Sequence, residues 1–237
     1  MIDFAELKTV LAPMYRVGSP AFRARCESAG ADLSYHVMLA QSPPALVDAE
    51  TLSLSGKPTA VQLIGSDPRI LANQAAALEA ELKGALALID INLGCPLARI
   101  TGLGAGAALM QDMPLIERLL KAVVAAVDLP VTAKIRKGYS DGEDRAVELA
   151  QRAEACGIAA ICVHGRTAAQ QFEGVADKTV VGRVKQALAI PVFASGDVLG
   201  SASAIEYLHT YGADAVMVAR GARDNPAIFG EIKRALC

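Results

Sequence analysis

Short apolar runs alternate with longer amphipathic segments along the whole chain of 237 residues. Most of the short runs are continuously apolar, which is typical of parallel β-strands buried on both faces. The pattern predicts eight strands, at 9–14, 32–39, 59–65, 88–94, 131–136, 160–165, 192–196 and 215–221.

The amphipathic segments between these strands predict seven helices. Four prolines, Pro20, Pro68, Pro114 and Pro226, stand at expected first-turn positions. Proline is favoured there because the first turn needs no hydrogen bond from its missing N–H. Segment 40–57, after the second strand, is expected to be a loop with at most a short helix. The predicted helices are 20–29, 68–83, 114–127, 143–156, 178–188, 201–211 and 226–236.

Strict alternation of strands and helices predicts an α/β protein, a (β/α)8 TIM barrel. A doubly wound open sheet is the alternative, but its glycine-rich fingerprint is missing from the first strand–helix turn, residues 13–16. No linker composition interrupts the chain. We therefore expect residues 1–237 to form a single barrel domain.

Composition narrows the class of protein. Hydrophobic residues make up 53% of the chain and its net charge is −2, so it can bury a core and is not disordered. Lys121, Asp128 and Pro130 interrupt the longest apolar run, which therefore predicts no membrane span. The N-terminus lacks an apolar signal segment, and the five scattered cysteines include no C-x-x-C. These features predict a cytoplasmic protein with reduced thiols.

A barrel of this kind builds its site at the carboxyl ends of the strands. Cys95 lies there between Gly94 and Pro96, after the fourth predicted strand. A free cysteine is more often a small core residue. The rigid flanks and the position at the barrel mouth favour a chemical role instead.

Other polar groups stand at or near the same ends. Lys134 and Gln62 are set within apolar strands, and a buried ammonium needs an anionic partner. The turns 195–197 and 219–221 follow the last two strands, where barrels frequently bind phosphate. His164 ends strand six, and the three histidines lack the spacing of a metal site. Together these groups suggest a barrel that binds FMN.

The glycine-rich stretch 102–108 precedes a helix and has two interpretations. It could cradle a phosphate, although it lacks the Lys-Ser/Thr of a P-loop. It could also be a flexible lid that carries Cys95 over the site, and we favour the lid.

These segments together resemble the catalytic barrel of the tRNA-dihydrouridine synthases over about residues 9 to 232. The Asn-x-Gly-Cys-Pro run at 92–96 is the most specific element. The other matching motifs are Leu-Ala-Pro-Met at 11–14, Val-Gln-Leu-Ile-Gly at 61–65, Gly-Ala-Gly-Ala-Ala-Leu at 104–109, Val-Thr-Ala-Lys-Ile-Arg at 131–136, Val-His-Gly-Arg-Thr at 163–167 and Ala-Arg-Gly at 219–221.

The resemblance implies a flavin-dependent oxidoreductase that uses NADPH to reduce uridine in tRNA to 5,6-dihydrouridine. FMN N5 passes a hydride to C6 of the uracil, and Cys95 protonates C5. It also implies substrate contacts for Asn92, Arg136 and Arg166. The residues expected to hold FMN are Pro13, Met14, Tyr15, Gln62, Lys134, His164, Ser195, Gly196, Asp197, Ala219, Arg220 and Gly221.

Three departures keep alternatives open. Ser195 replaces the asparagine usual in the family, and strand two reads His-Val-Met at 36–38 where the family commonly has Thr-Glu-Met. The family's helical C-terminal tRNA-binding domain is also expected to be absent from a chain that stops at Cys237. A partner protein could then provide the tRNA-binding surface. The alternatives are a flavin barrel that acts on a free pyrimidine or small enone, and a non-catalytic barrel that binds a phosphate ligand.

Overall fold

A computed structural model describes residues 2–14, 17–39, 57–82 and 84–237. All eight predicted strands are present, and each lies within two residues of its predicted start, except β2, which starts three residues later. The strands are β1 (Thr9–Leu11), β2 (Tyr35–Leu39), β3 (Thr59–Ile64), β4 (Leu86–Leu93), β5 (Val131–Gly138), β6 (Ala160–Thr167), β7 (Val192–Ser195) and β8 (Ala215–Val218).

The strands pair in parallel in the order β1-β8-β7-β6-β5-β4-β3-β2. Between β1 and the residues that precede β2, a parallel bridge joins Val10 to Leu33. The Leu11 N–H donates to the Leu33 carbonyl at 2.8 Å, so the sheet meets itself across this last gap. The predicted TIM barrel is confirmed.

Helices fall between the strands as expected. The described residues also form four short elements that the hydrophobic pattern does not indicate: 3-10 helices at Phe4–Glu6 and Gly106–Gln111 and short α-helices at Ala98–Thr101 and Arg220–Asp224. The helices are α1 (Pro20–Ser28), α2 (Pro68–Glu81), α3 (Ala98–Thr101), α4 (Met113–Val124), α5 (Ala146–Ala155), α6 (Thr179–Ala187), α7 (Ser201–Ile205, continued by a π-helical turn at Glu206–Thr210), α8 (Arg220–Asp224) and α9 (Ile228–Leu236).

Two strands end three residues before prediction, and the last helix begins at Ile228 rather than at Pro226. The eighth strand was expected to reach residue 221, but it ends at Val218 because Arg220 already begins α8. The first was expected to reach residue 14 and ends at Leu11. The expected loop at 40–57 lies outside the described residues except for its last position. Among the described helices, none is both long and apolar enough to cross a membrane.

Side chains alternate between two cores along each strand. One core fills the barrel interior and includes Ala60, Leu88 and Cys162, whereas the other lies between the sheet and its helices. Because successive side chains of a strand point to opposite faces, the residues two positions further along β3, β4 and β6 also face the interior. This parity turns Gln62, Asp90 and His164 toward the barrel axis.

Candidate functional site

A cavity of about 380 Å³ opens at the carboxyl ends of the strands. It is the place where a TIM barrel builds its site. Of the predicted site residues, Arg166 and Gly221 do not line it, and Tyr15 lies outside the described residues. Those that line it are Pro13, Met14, Gln62, Asn92, Cys95, Lys134, Arg136, His164, Ser195, Gly196, Asp197, Ala219 and Arg220.

Cys95 is held from both sides by its backbone. Its N–H donates to Asn92 Oδ1 at 2.8 Å, and its carbonyl accepts the Ala107 N–H at 3.0 Å. Gly106 makes the second contact possible: its φ is +61°, and a Cβ there would lie 2.6 Å from the Cys95 carbonyl oxygen. The half-buried thiol therefore stands on a fixed turn at the cavity wall.

The glycine-rich stretch supports this cysteine from behind. Ala105, Gly106 and Ala107 are buried, and none of residues 102–108 lines the cavity. The expectation of a flexible lid over the site is therefore wrong. The same placement leaves the stretch no role as a cradle for a phosphate in the cavity.

A chain of hydrogen-bonded polar side chains lies beneath the cavity, inside the barrel. Asn92 Nδ2 donates to Gln62 Oε1 at 2.7 Å, and Gln62 Nε2 donates to Asp90 Oδ2 at 2.6 Å. The Thr132 hydroxyl donates to Asp90 Oδ1 at 2.5 Å. Asp90 is not among the site residues expected from the sequence. It could have been noticed as a carboxylate inside the continuous apolar run of β4, two residues before Asn92.

Burial raises the pKa of Asp90 to about 6. Hydrogen bonds from Thr132 and Gln62, together with the charge of Lys134, oppose this shift and favour the ionised form. Asp90 is 1% exposed, so these three groups take the place of water around it.

Asp90→Asn is expected to gain stability over the wild-type protein as the pH rises. Because the pKa of Asp90 is higher in the folded than in the unfolded chain, its favourable contribution is complete below about pH 4 and is lost as pH rises through about 6. Asparagine does not titrate. Urea unfolding between pH 4.5 and 7.5 measures the difference in unfolding free energy between the variants. A difference that is constant or falls with pH would contradict the assignment.

Lys134 presents a cation to the cavity. Burial lowers the pKa of Lys134. Among the described residues, none accepts a hydrogen bond from its ammonium, although the charge of Asp90 acts on it. Enclosing an ammonium without such a partner is costly. The side chain therefore fits an anionic or strongly accepting ligand in the cavity.

Arg136 joins the turn after β4 to the end of β6 and the loop that follows it, at the cavity wall. It is 2% exposed, and burial lowers its pKa to about 10. Its guanidinium donates to the carbonyls of Gly94 at 2.8 Å, Thr167 at 2.8 Å and Gln171 at 2.7 Å. Its Cζ also lies 5.4 Å from the ring centroid of Phe172, which is half-exposed and lines the cavity. Arg136 thus reaches the cavity while it fixes the Gly94 turn.

Arg166 is placed differently from the substrate contact expected for it. It is 1% exposed and does not line the cavity. It donates to the carbonyls of Glu173 at 2.9 Å and Gly174 at 2.6 Å and forms an ion pair with Asp197 at 2.7 Å. These bonds order the loop after β6, so Arg166 is used by the protein itself.

Asp197 joins the last two strand ends. Its second oxygen pairs with Arg220 at 2.7 Å, and it also accepts the Ala176 N–H at 2.9 Å. These partners lower the pKa of its carboxyl against the opposing effect of burial. His164 stands beside this cluster, and its burial, followed by the charges of Lys134 and the arginines, holds its pKa well below the usual range. The imidazole is therefore neutral at neutral pH.

The fold and site together define a barrel enzyme whose mouth combines a fixed cysteine, a half-buried lysine and small residues at the last two strand ends. A profile of the family described as dihydrouridine synthase (Dus) matches residues 10–236. The chain therefore belongs to the dihydrouridine synthase family, whose members are flavin-dependent oxidoreductases. The expected family is confirmed.

Curated relatives agree with this assignment. The chain is 40% identical over 230 residues to tRNA-dihydrouridine synthase B of Xanthomonas campestris pv. campestris, covering 95% of this chain and 68% of that protein. It is 42% identical over 232 residues to tRNA-dihydrouridine synthase B of Shewanella oneidensis, covering 96% and 71%.

Solved structures of other enzymes share only the fold. A FabK M276A mutant from Thermotoga maritima superposes with a TM-score of 0.55 at 18% identity, covering 91% of this chain and 61% of that one. A lactate oxidase described as putative, from Pediococcus acidilactici, superposes with a TM-score of 0.62 at 19% identity, covering 96% of this chain and 69% of that one.

Proposed function

We propose that this protein reduces uridine in tRNA to 5,6-dihydrouridine, with FMN as its cofactor and NADPH as the reductant. The observation that carries the proposal is that Cys95 and Lys134 line one cavity at the barrel mouth, in a chain of this family. In one cavity the thiol can act as a proton donor while the half-buried ammonium binds an anionic cofactor.

The residues of the cavity fit FMN. Lys134 offers an ammonium with no hydrogen-bond acceptor among the described residues, and Arg220 offers a half-exposed guanidinium at the mouth. Gly196 has a φ of +105°, and a Cβ there would lie 2.8 Å from His164 Cδ2, so only glycine fits this turn. When bound, FMN supplies the hydride transfer that no amino-acid side chain performs.

The protein's own groups then bind, orient and protonate. Lys134 stabilises negative charge in the cavity, and the Gln62 amide keeps one N–H and one lone pair beyond its two internal hydrogen bonds. Nε2 of neutral His164 faces Arg166 Nη1 at 3.4 Å, and because arginine only donates, the imidazole carries its proton on Nδ1. Cys95 acts as the general acid, because its S–H donates a proton to C5 of the base from a fixed turn.

The target base has to leave its stack to reach this cavity. Phe172 offers a half-exposed ring at the wall, and aromatic rings stack on bases without regard to sequence. Asn92 and Arg136 face the same space, and Arg223 adds a cation at the rim. We propose that these groups receive the base and the phosphates next to it.

The test uses the purified full-length chain. We expect a yellow protein with flavin absorbance, or a protein that FMN restores to that state. With NADPH it should convert uridine in an unmodified tRNA transcript, seen by mass spectrometry as a gain of two hydrogens. Reduction of free uridine without any gain of hydrogens in the tRNA would favour a reductase of small molecules. A protein that stays colourless with FMN would contradict the proposal.

A further inference from the structure

The amide groups beneath the cavity can adopt only one orientation. The backbone N–H groups of Gly94 and Cys95 donate to Asn92 Oδ1, at 3.1 and 2.8 Å. Backbone N–H groups cannot accept, so Oδ1 has to face them. Asn92 therefore points its Nδ2 away from the turn and donates to Gln62 Oε1 at 2.7 Å.

The orientation of the Gln62 amide, one step deeper in the barrel, is fixed in the same way. With Oε1 committed to Asn92, the amide nitrogen of Gln62 has to face Asp90, and it donates to Oδ2 at 2.6 Å. An ionised carboxylate accepts on both oxygens and donates on neither. Asp90 is thus the acceptor at which the chain of donors ends, and it is fixed in turn by the Thr132 hydroxyl at 2.5 Å.

We infer that Asp90 is a positioning residue for Cys95: as the acceptor for Gln62, it sets the orientation of both amides and so holds the acceptor that fixes the Cys95 turn. The importance of this turn for catalysis rests on the proposed role of Cys95. The hydrogen-bonded connection from Asp90 to the Cys95 amide is independent of that proposed role.

Loss of the acceptor should release the turn. Gln62 is fully buried, and an amide N–H left there without a partner costs more than a typical hydrogen bond contributes. Gln62 then turns to find another acceptor and leaves Asn92. Asn92 loses the partner that held its side chain, and its hydrogen bond to the Cys95 N–H weakens.

Three substitutions separate this link from simple damage to the core. Asp90→Leu keeps the shape and removes the acceptor. Asp90→Asn keeps an oxygen for Gln62, while its amide faces the Thr132 hydroxyl, a group that can accept as well as donate. Thr132→Val is the matched control: it removes the other hydrogen bond of Asp90 and leaves the one to Gln62 intact.

The direct readout is hydrogen exchange of the Cys95 amide in the full chain labelled with ¹⁵N-cysteine. The sequence has five cysteines, and the Cys95 signal is the one that disappears in Cys95→Ser. We expect exchange at Cys95 to be about tenfold faster in Asp90→Leu, the factor that corresponds to one hydrogen bond. In Asp90→Asn and Thr132→Val it should stay close to the wild-type rate.

A catalytic readout accompanies it. With tRNA as substrate, Asp90→Leu should lower kcat more than it changes KM, and Asp90→Asn should restore kcat. Unchanged Cys95 exchange in Asp90→Leu would overturn the inference, and so would equal acceleration in Asp90→Asn. If Asp90→Leu does not fold, Gln62→Met breaks the same chain one step later and is judged by the same exchange criterion.

Different results would contradict the proposed function and the positioning role of Asp90. If the wild-type protein does not reduce tRNA, or if Cys95→Ala reduces it normally, the proposed function is wrong, while the exchange rates still decide the link from Asp90 to Cys95. If the exchange rates do not respond to Asp90, the positioning inference is wrong and the function stands.

Discussion

Cys95→Ala should lower the rate of tRNA reduction by about 10²- to 10⁴-fold, the usual contribution of a positioned general acid. The reduction of bound flavin by NADPH should continue, because it needs no proton from this thiol. Stopped-flow absorbance in the presence and absence of tRNA separates the two half-reactions. The backbone bonds that hold residue 95 do not involve its side chain, so the turn itself should stay in place.

Cys156→Ala is the matched control. Cys156 is another free cysteine, but it is buried, follows α5 and contacts the Glu117 carbonyl, away from the cavity. This variant should keep both half-reactions close to the wild-type rates. Equal loss of flavin reduction and tRNA reduction in Cys95→Ala would exclude the proton-donor role.

Arg166→Met should destabilise the protein by about 3–5 kcal/mol, the usual cost of removing one partner of a buried ion pair. The side chain of Arg166 is 2% exposed. Its loss leaves the carbonyls of Glu173 and Gly174 without their donor and removes the ion pair of Asp197, whose oxygen keeps only the Ala176 N–H. Urea unfolding measures the change. The largest local effect should appear in the loop after β6.

Arg220→Met removes the exposed partner of the same carboxylate, Asp197. The side chain of Arg220 is 43% exposed, and an ion pair in water contributes about 0–1 kcal/mol, so the unfolding free energy should change little. This variant should instead retain FMN less well, because Arg220 lines the cavity. Equal stability losses in the two variants would contradict the assignment of Arg166 to the loop and Arg220 to the ligand.

The barrel could be predicted from the sequence because its signal is repeated along the chain. Continuous apolar strands and proline-initiated helices recur in strict order, and an error at one boundary does not alter the topology. The end of β8 was placed too late because Val218 is followed by Ala219 and Arg220, which suit a strand end and the first turn of α8 equally well.

The candidate site was predictable where a residue's position along its strand decides its role. Gln62 and Lys134 were expected to face the mouth, and both line the cavity. Arg166 was not predictable, because its partners belong to a loop that folds back onto it, and no pattern in the sequence indicates that return. Asp90 was missed because a single carboxylate in an apolar strand shows its purpose only with its neighbours in place.

The most direct test of the central claim is the dihydrouridine content of tRNA from cells that lack this protein. Mass spectrometry of individual tRNAs should show at least one uridine without its gain of two hydrogens. The wild-type gene should restore that modification, and the Cys95→Ala gene should not. An unchanged dihydrouridine content in tRNA from the deletion strain would contradict the proposed function.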